Sequence, residues 1–384
     1  MSAAPKVVIV AGEASGDAHA ARLIEALRQL EPGLVVSGVG GPALEAAGAR
    51  LLYRAEDLAL VGVSEVFGKL KLIWEALRGL SQHLKAERPD LVILVDFPDF
   101  NFRVAKRAKA LGLKVLYYIS PQVWAWRQKR ALKMPKLMDH LAVVFPFEEQ
   151  FYQGVAPDLK VTFVGHPIMD EDEANRQKAG QVLPVPAGAE LVGLLPGSRH
   201  SEISRLLPLM IETARYMRSK NSNLHFLLPL APGLTLDDLE PHISQGAMPG
   251  ITVLPGRAAA IMAQSRVLIV ASGTATLQAA LAGTPMVVVY KTGALNALVA
   301  RKLIKVNHIA MPNLVAGREV IPELLQEKAT PQAVGDAALA LMADGAGRRE
   351  MIEGLGEVRG KLGQPGASRR VAELARDMMA GTLT

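Results

Sequence analysis

The stretch that most constrains the fold is Arg266 to Lys291, RVLIVASGTATLQAALAGTPMVVVYK. A β-branched apolar run, Val267 to Val270, leads through the small-residue turn Ser272-Gly273-Thr274 into a helix-like run ending at Leu281. Gly283-Thr284-Pro285 closes that run, and Met286 to Val289 reads as a second strand. Strand, turn, helix and strand form the repeating unit of a parallel α/β sheet, whose strands are buried on both faces and so read as unbroken apolar runs. No charge falls between Arg266 and Lys291, a length able to span a bilayer, but Ser272, Gly273, Thr274, Thr276, Gln278, Gly283 and Pro285 interrupt it and favour the buried sheet unit. Thr274 could cap the helix, and the first N–H groups with the positive end of the helix dipole favour phosphate there. Gln278, one turn on, shares that face and could reach an adjoining hydroxyl. A structural βαβ unit without ligand fits the stretch equally well.

With 384 residues the chain is too long for one ordinary core, so two domains are expected. It has no cysteine, which removes disulfides, thiolate metal sites and cysteine nucleophiles. The eight histidines are scattered without metal-ligand spacing. A net charge of +6 suits anionic substrates or an anionic membrane surface and is too weak to argue for nucleic acid. The N-terminal MSAAPKVVIV runs into a strand without a signal segment, so a cytoplasmic protein is expected.

In the first half, strands are expected at Lys6–Ala11, Leu34–Val39, Leu91–Val95, Lys114–Ile119, His140–Val144 and Val161–Val164. The loop Gly12-Glu13-Ala14-Ser15-Gly16-Asp17 after the first strand is neither GxGxxG nor a P-loop, yet lies where α/β folds bind ligands. Glu13 and Asp17 read equally well as caps. Leu91–Val95 delivers Asp96-Phe97-Pro98-Asp99-Phe100-Asn101, two carboxylates at a strand end suited to acid/base work, with Pro98 expected to hold Phe97 extended. Asp99 or Asn101 as a simple helix cap is the alternative. Val66, Leu70, Ile73, Leu77, Leu80 and Leu84 recur at helical spacing, widened by Phe67 and Trp74 and bordered by Lys69, Lys71 and Arg78. They form either a core-facing helix or a basic amphipathic surface for lipid. Trp124 and Trp126 precede the basic run Arg127, Lys129, Arg130, Lys133 and Lys136, which suits a bilayer interface or a phosphate-bearing amphiphile, or equally a solvated basic helix with two packed indoles.

The charged stretch Asp170–Lys178 and the Pro/Gly-rich Pro184–Gly188 read as a linker. The pattern restarts with a strand at Leu191–Leu195 and the loop Gly197-Ser198-Arg199, where Ser201 could cap the next helix and Arg199 could hold a diphosphate. Strands at His225–Leu228 and Ile251–Leu254 lead to the opening stretch, followed by the polar loops around Asn313 and Arg318 and a closing helix, Ala367–Met379. The reading is two α/β domains whose carboxyl-end loops line a cleft.

Taken together, GEASGDAHAARLI, DFPDFNFRVA, ISPQVWAWR, VGHPI, LLPGSRHSEI, ASGTATLQAALAGTPMVVVYK and MPNLVAGREVIPELLQ resemble the lipid-A-disaccharide synthase family over nearly the whole chain. The resemblance implies a GT-B fold of two Rossmann-like domains: residues 1–168 for the acceptor and lipid, 186–362 for the UDP-sugar, and 363–384 as a helix packing back on the first domain. It implies inverting transfer from UDP-2,3-diacylglucosamine to 2,3-diacylglucosamine 1-phosphate, giving the β(1→6) disaccharide and UDP. The setting would be the cytoplasmic face of a Gram-negative inner membrane. Neither cofactor nor metal is expected, and a homodimer stays open.

By the same resemblance Asp99 is the catalytic carboxylate, and Glu13, Ser15, Asp17, Asp96 and Asn101 lie on the acceptor side. Gly197, Ser198, Arg199, Ser272, Gly273, Thr274, Ala275, Thr276, Gln278 and Asn313 bind the UDP-sugar. The family usually carries glutamate where this chain has Gln278; a carboxylate accepts from both ribose hydroxyls, an amide oxygen from one end only. A non-hydrolysing UDP-sugar 2-epimerase is the alternative enzyme, and a two-domain binding protein the alternative outside enzymes. UDP release with and without a lipid-linked acceptor separates them.

Overall fold

The structure, a computed structural model, describes residues 4–58, 66–126, 128–231, 233–243, 250–292 and 308–382. Arg127 and the side chains of Val66, Phe67, Lys69, Leu70 and Trp126 lie outside this description. The strands pair in parallel throughout two sheets. The first holds β1 (Lys6–Ala11), β2 (Val35–Gly40), β3 (Arg50–Arg54), β4 (Leu91–Val95), β5 (Val115–Tyr118), β6 (His140–Val143) and β7 (Lys160–Phe163), in the order β3-β2-β1-β4-β5-β6-β7. The second holds β8 (Glu190–Leu195), β9 (Leu224–Leu230), β10 (Ile251–Pro255), β11 (Val267–Ala271), β12 (Met286–Tyr290) and β13 (Glu323–Leu325), in the order β10-β9-β8-β11-β12-β13. The central runs LVILV of β4 and VLIVA of β11 are buried at every position, as strands with helices on both faces require. Strand order reverses beside β1, between β2 and β4, and beside β8, between β9 and β11. Such switch points open a crevice outside the carboxyl ends of the strands, where ligands bind.

The chain divides into two compact units. Unit 1 comprises the described residues through Asp170 and from Gly363 onward; unit 2 is Glu171–Leu362. The charged stretch read as linker is a helix, Ile168–Ala179. Its Asp172 is buried and offsets that burial by pairing with Arg176 at 3.0 Å and Arg359 at 2.5 Å. The closing helix, Ala367–Ala380, packs in unit 1 against Ala14–Leu30. Asp170 accepts from the backbone N–H groups of Gly366, Ala367 and Ser368 at its N-terminus, and Lys114 Nζ donates to Met378 O at the other end, each charge matching the dipole it meets.

The amphipathic helix, Val66–Glu87, divides by position. Leu77, Leu80 and Leu84 are in the unit 1 core, whereas Trp74 is 63% exposed. Among the described residues no helix is long and apolar enough to cross a membrane.

Candidate active site

In unit 1 the crevice falls between β1 and β4, where Ala11 is in register with Val95. Gly12 then runs flat beneath Phe97: a Cβ there would lie 2.1 Å from the ring, so only glycine fits. Asp96 and Phe97 are left-handed, with φ of 48° and 49°, which corrects the extended conformation expected before Pro98. Each such residue costs on the order of 1–3 kcal/mol and persists only where its surroundings hold it. Here the Asp96 carbonyl accepts from Tyr117 Oη at 2.6 Å and Asn101 Nδ2 at 2.7 Å, while the Phe97 ring stacks on Phe100 at 5.2 Å. Asn101, buried, also donates to Val95 O at 3.2 Å, so it secures the turn instead of facing substrate.

The acidic residues separate into distinct roles. Asp17 is buried and accepts from the N–H groups of Gly41 at 2.6 Å, Ala43 at 2.9 Å and Leu44 at 3.2 Å, so it holds the neighbouring loop and is not open to an acceptor. Glu13 and Ser15 are exposed at the start of the Ala14–Leu30 helix. Asp99, expected as the catalytic carboxylate, has a side chain 76% exposed and paired with Arg130 Nη1 at 3.0 Å. Asp96 is more enclosed; burial first, and the negative charge of Glu13 second, push its carboxyl up to about 6. Trp124, for which a bilayer interface and a packed indole are both open from sequence, is buried and donates to Glu148 Oε1 at 3.0 Å. Glu148 also takes the N–H groups of Val144 and Phe145, and burial pushes it up to about 7. Glu148 stands 24 residues from the indole it holds, so no local pattern announces the pair.

In unit 2 the loop Gly197-Ser198-Arg199 leads into the helix His200–Lys220, with Arg199 at the N-cap in place of Ser201. Glu202 Oε2 accepts from Ser198 N at 2.9 Å and Arg199 N at 3.2 Å. Those two amides are therefore engaged within the loop, while the exposed Arg199 guanidinium lies 3.7 Å from the Glu202 carboxylate. The helix Thr274–Ala282 starts from Gly273 without a side-chain cap, which corrects the capping role expected of Thr274. Thr276 turns inward, its hydroxyl donating to Gly273 O at 2.7 Å, and Ser272 Oγ donates to Ile309 O at 3.4 Å. Thr274 is exposed and Ala275 half-buried at the helix entrance, where the first N–H groups lack partners within the helix.

Gln278 lies in the wall of a cavity of about 350 Å³ between the helices Ile168–Ala179, Ala258–Gln264 and Thr274–Ala282. Asn175, Arg176, Ala258, Met262 and Leu281 line it too. Asn175 and Arg176 come from the charged stretch, which sequence reasoning assigned to a linker. Asn313 is buried and saturated: its amide donates to Ile321 O and Glu323 Oε1, and its oxygen accepts from Val320 N and Ile321 N. Its side-chain amide is taken up in shaping its own loop. Glu323, not singled out from sequence, gathers this node by also accepting from Ile309 N at 2.9 Å and Ala310 N at 3.1 Å. Among the described residues no cluster of three acidic or histidine side chains could hold a metal ion.

The sequence matches the family model described as lipid-A-disaccharide synthetase over residues 7–375. The chain belongs to the lipid-A-disaccharide synthetase family. It is 45% identical over 382 residues to the lipid-A-disaccharide synthase of Nitrosococcus oceani, covering 99% of this chain and 98% of that protein. It is 40% identical over 385 residues to the Myxococcus xanthus enzyme of the same name, covering 99% of each. Family membership makes the chain a glycosyltransferase. Among solved structures it resembles a UDP-GlcNAc 2-epimerase from Neisseria meningitidis bound to UDP-GlcNAc, with TM-score 0.64, 13% identity and coverage of 96% and 99%. It also resembles the kitacinnamycin glycotransferase, with TM-score 0.61, 17% identity and coverage of 98% and 100%. At these identities the likeness speaks for the GT-B fold, which epimerases and glycosyltransferases share.

Proposed function

We propose that the chain is a lipid-A-disaccharide synthase that transfers diacylglucosamine, with inversion, from UDP-2,3-diacylglucosamine to 2,3-diacylglucosamine 1-phosphate. The observation that carries this is 45% identity, nearly end to end, to a synthase of that name. Unit 2 takes the UDP-sugar. The Arg199 guanidinium and the N-terminus of Thr274–Ala282 meet the diphosphate charge, and Gln278 faces the ribose. Unit 1 takes the acceptor beside Glu13, Ser15, Asp96 and Asp99. The protein works at the membrane surface, supported by exposed Trp74 and Leu132, at 63% and 60%, and by the basic run Lys129 to Lys136.

The test is UDP release by purified protein given the donor with and without acceptor. Release only with acceptor, alongside disaccharide, is expected, and it should survive EDTA because protein groups meet the diphosphate charge. Conversion of the donor to its 2-epimer without acceptor would instead assign the epimerase reaction.

A further inference from the structure

We propose that Arg130 recognises the phosphate of the acceptor and, through its ion pair with Asp99, brings the reacting hydroxyl of the same sugar to that carboxylate. This rests on the glycosyl transfer proposed above, with Asp99 as its carboxylate, and names the residue that selects a phosphorylated acceptor. Asp99 stands in strongly basic surroundings. The helices Pro98–Ala110 and Gln128–Lys136 carry four basic residues each, and Asp99 is the only acidic residue on either. Arg103 and Lys106, both exposed, follow Asp99 along one face of its helix.

Arg130 differs from the lysines around it in being held. Nη1 lies 3.0 Å from Asp99 Oδ1, and Cζ lies 6.0 Å from the centre of the Phe102 ring, three residues beyond Asp99 on the same helix. Ala131 and Met134 anchor its segment in the unit 1 core, and Gln128 Nε2 donates to the carbonyl of Trp124, whose indole Glu148 holds. Lys129 and Lys133 are exposed by contrast. The Arg130 side chain keeps 34% of its surface in solvent, so it is fixed before substrate arrives and still open to it. A guanidinium suits phosphate, because its planar fork can donate two parallel N–H bonds and stays charged at any working pH. The acceptor has matching geometry. Its C1 phosphate and its C6 hydroxyl flank the ring oxygen, at one edge of the sugar. A cation that touches the carboxylate meeting the hydroxyl is therefore within reach of the phosphate. Arg130 pairs with Oδ1, which leaves Oδ2 of Asp99 to accept from the hydroxyl.

The test compares two acceptors in neutral detergent at saturating donor: 2,3-diacylglucosamine 1-phosphate, and the methyl glycoside of the same sugar, which lacks the phosphate. The unmodified protein should favour the phosphorylated acceptor in kcat/KM for UDP release. Arg130→Gln should lose roughly 10–10²-fold with that acceptor, chiefly through KM, and bring the two acceptors close to equality. Arg130→Lys should restore part of the preference, since it returns the charge without the fork. The ratio between acceptors does not depend on how much of a variant is folded. Flotation with anionic vesicles distinguishes the acceptor's phosphate from a lipid headgroup, and Arg130→Gln should float as the unmodified protein does. Equal losses with both acceptors would leave Arg130 as a partner of Asp99 alone, and lost flotation would assign it to the lipid surface. Either result, or equal use of both acceptors by the unmodified protein, overturns the proposal and leaves the transferase reading intact. Absence of UDP release from the unmodified protein with either acceptor would sink that reading as well.

Discussion

Two carboxamides in unit 2 show how much a residue's role depends on what surrounds it. Asn313 makes four hydrogen bonds in the interior, whereas Gln278 faces a cavity. Asn313→Ala would strand the N–H groups of Val320 and Ile321 and two acceptors, and unpaired buried groups cost about 1–3 kcal/mol each. A fall of several degrees in the thermal midpoint is expected, and an unchanged midpoint would show that the node is not structural. At Gln278 the expected effect is on ligand. The neutral amide gives up the charge-assisted part of a bond to ribose, so Gln278→Glu should tighten UDP binding by about 1 kcal/mol, several-fold in Kd, and Gln278→Ala should weaken it. Arg176 on the same cavity wall would help to accommodate the added charge. Calorimetric titration of UDP checks the series; equal binding by the alanine variant would move residue 278 away from the ribose. Sequence pattern marks both positions but cannot distinguish a saturated amide from an open one, because Glu323, which accepts from Asn313, stands ten residues away.

At the scale of elements, buried strands were legible because two-sided burial forces apolar runs, as in β4 and β11. The edge strands β3 and β13 were not read: RLLYR carries arginine at both ends, and ELL is only three residues long. The turn at Phe97 was misread because the steric preference before proline is local, while the ring's packing against Gly12 and Phe100 is tertiary. The helix Val66–Glu87 shows the limit of periodicity, since its apolar arc cannot say which residues meet core and which meet solvent. The structure sends Leu77, Leu80 and Leu84 inward and Trp74 outward. Trp74→Ser with Leu132→Ser should therefore leave the fold intact and weaken flotation with anionic vesicles. Raised salt should weaken it further by screening the basic run. Equal flotation of the double variant would remove these side chains from any lipid contact.

At the scale of the molecule, burial shifts the protonation of His166, His140, Asp96 and Glu148 in unit 1 furthest within the acid range, and their signs oppose. Burial lowers His166 to about 3 and His140 to about 4 from 6.5, so each contributes stability that is full above pH 6.5 and declines as pH falls toward its folded value. Burial raises Asp96 from 3.8 to about 6 and Glu148 from 4.5 to about 7, so acidification through those ranges favours the folded state. Each excess proton is worth about 1.4 kcal/mol per pH unit. From pH 6 down to 4.5 two histidines act against two carboxyls, and the slope is close to zero. Below pH 4.5 Glu148 no longer contributes and the two histidines outweigh Asp96, so stability falls; below 3.8 Asp96 and His140 are both exhausted and His166 carries the fall toward about pH 3. All three tryptophans, Trp74, Trp124 and Trp126, belong to unit 1, so indole fluorescence follows that unit alone. Denaturant midpoints read by fluorescence should stay level between pH 6 and 4.5 and drop below, with the level region turning into a decline in Glu148→Gln, which removes one of the opposing carboxyls. A midpoint already falling steeply from pH 6 in the unmodified protein would mean that burial does not raise those carboxyls.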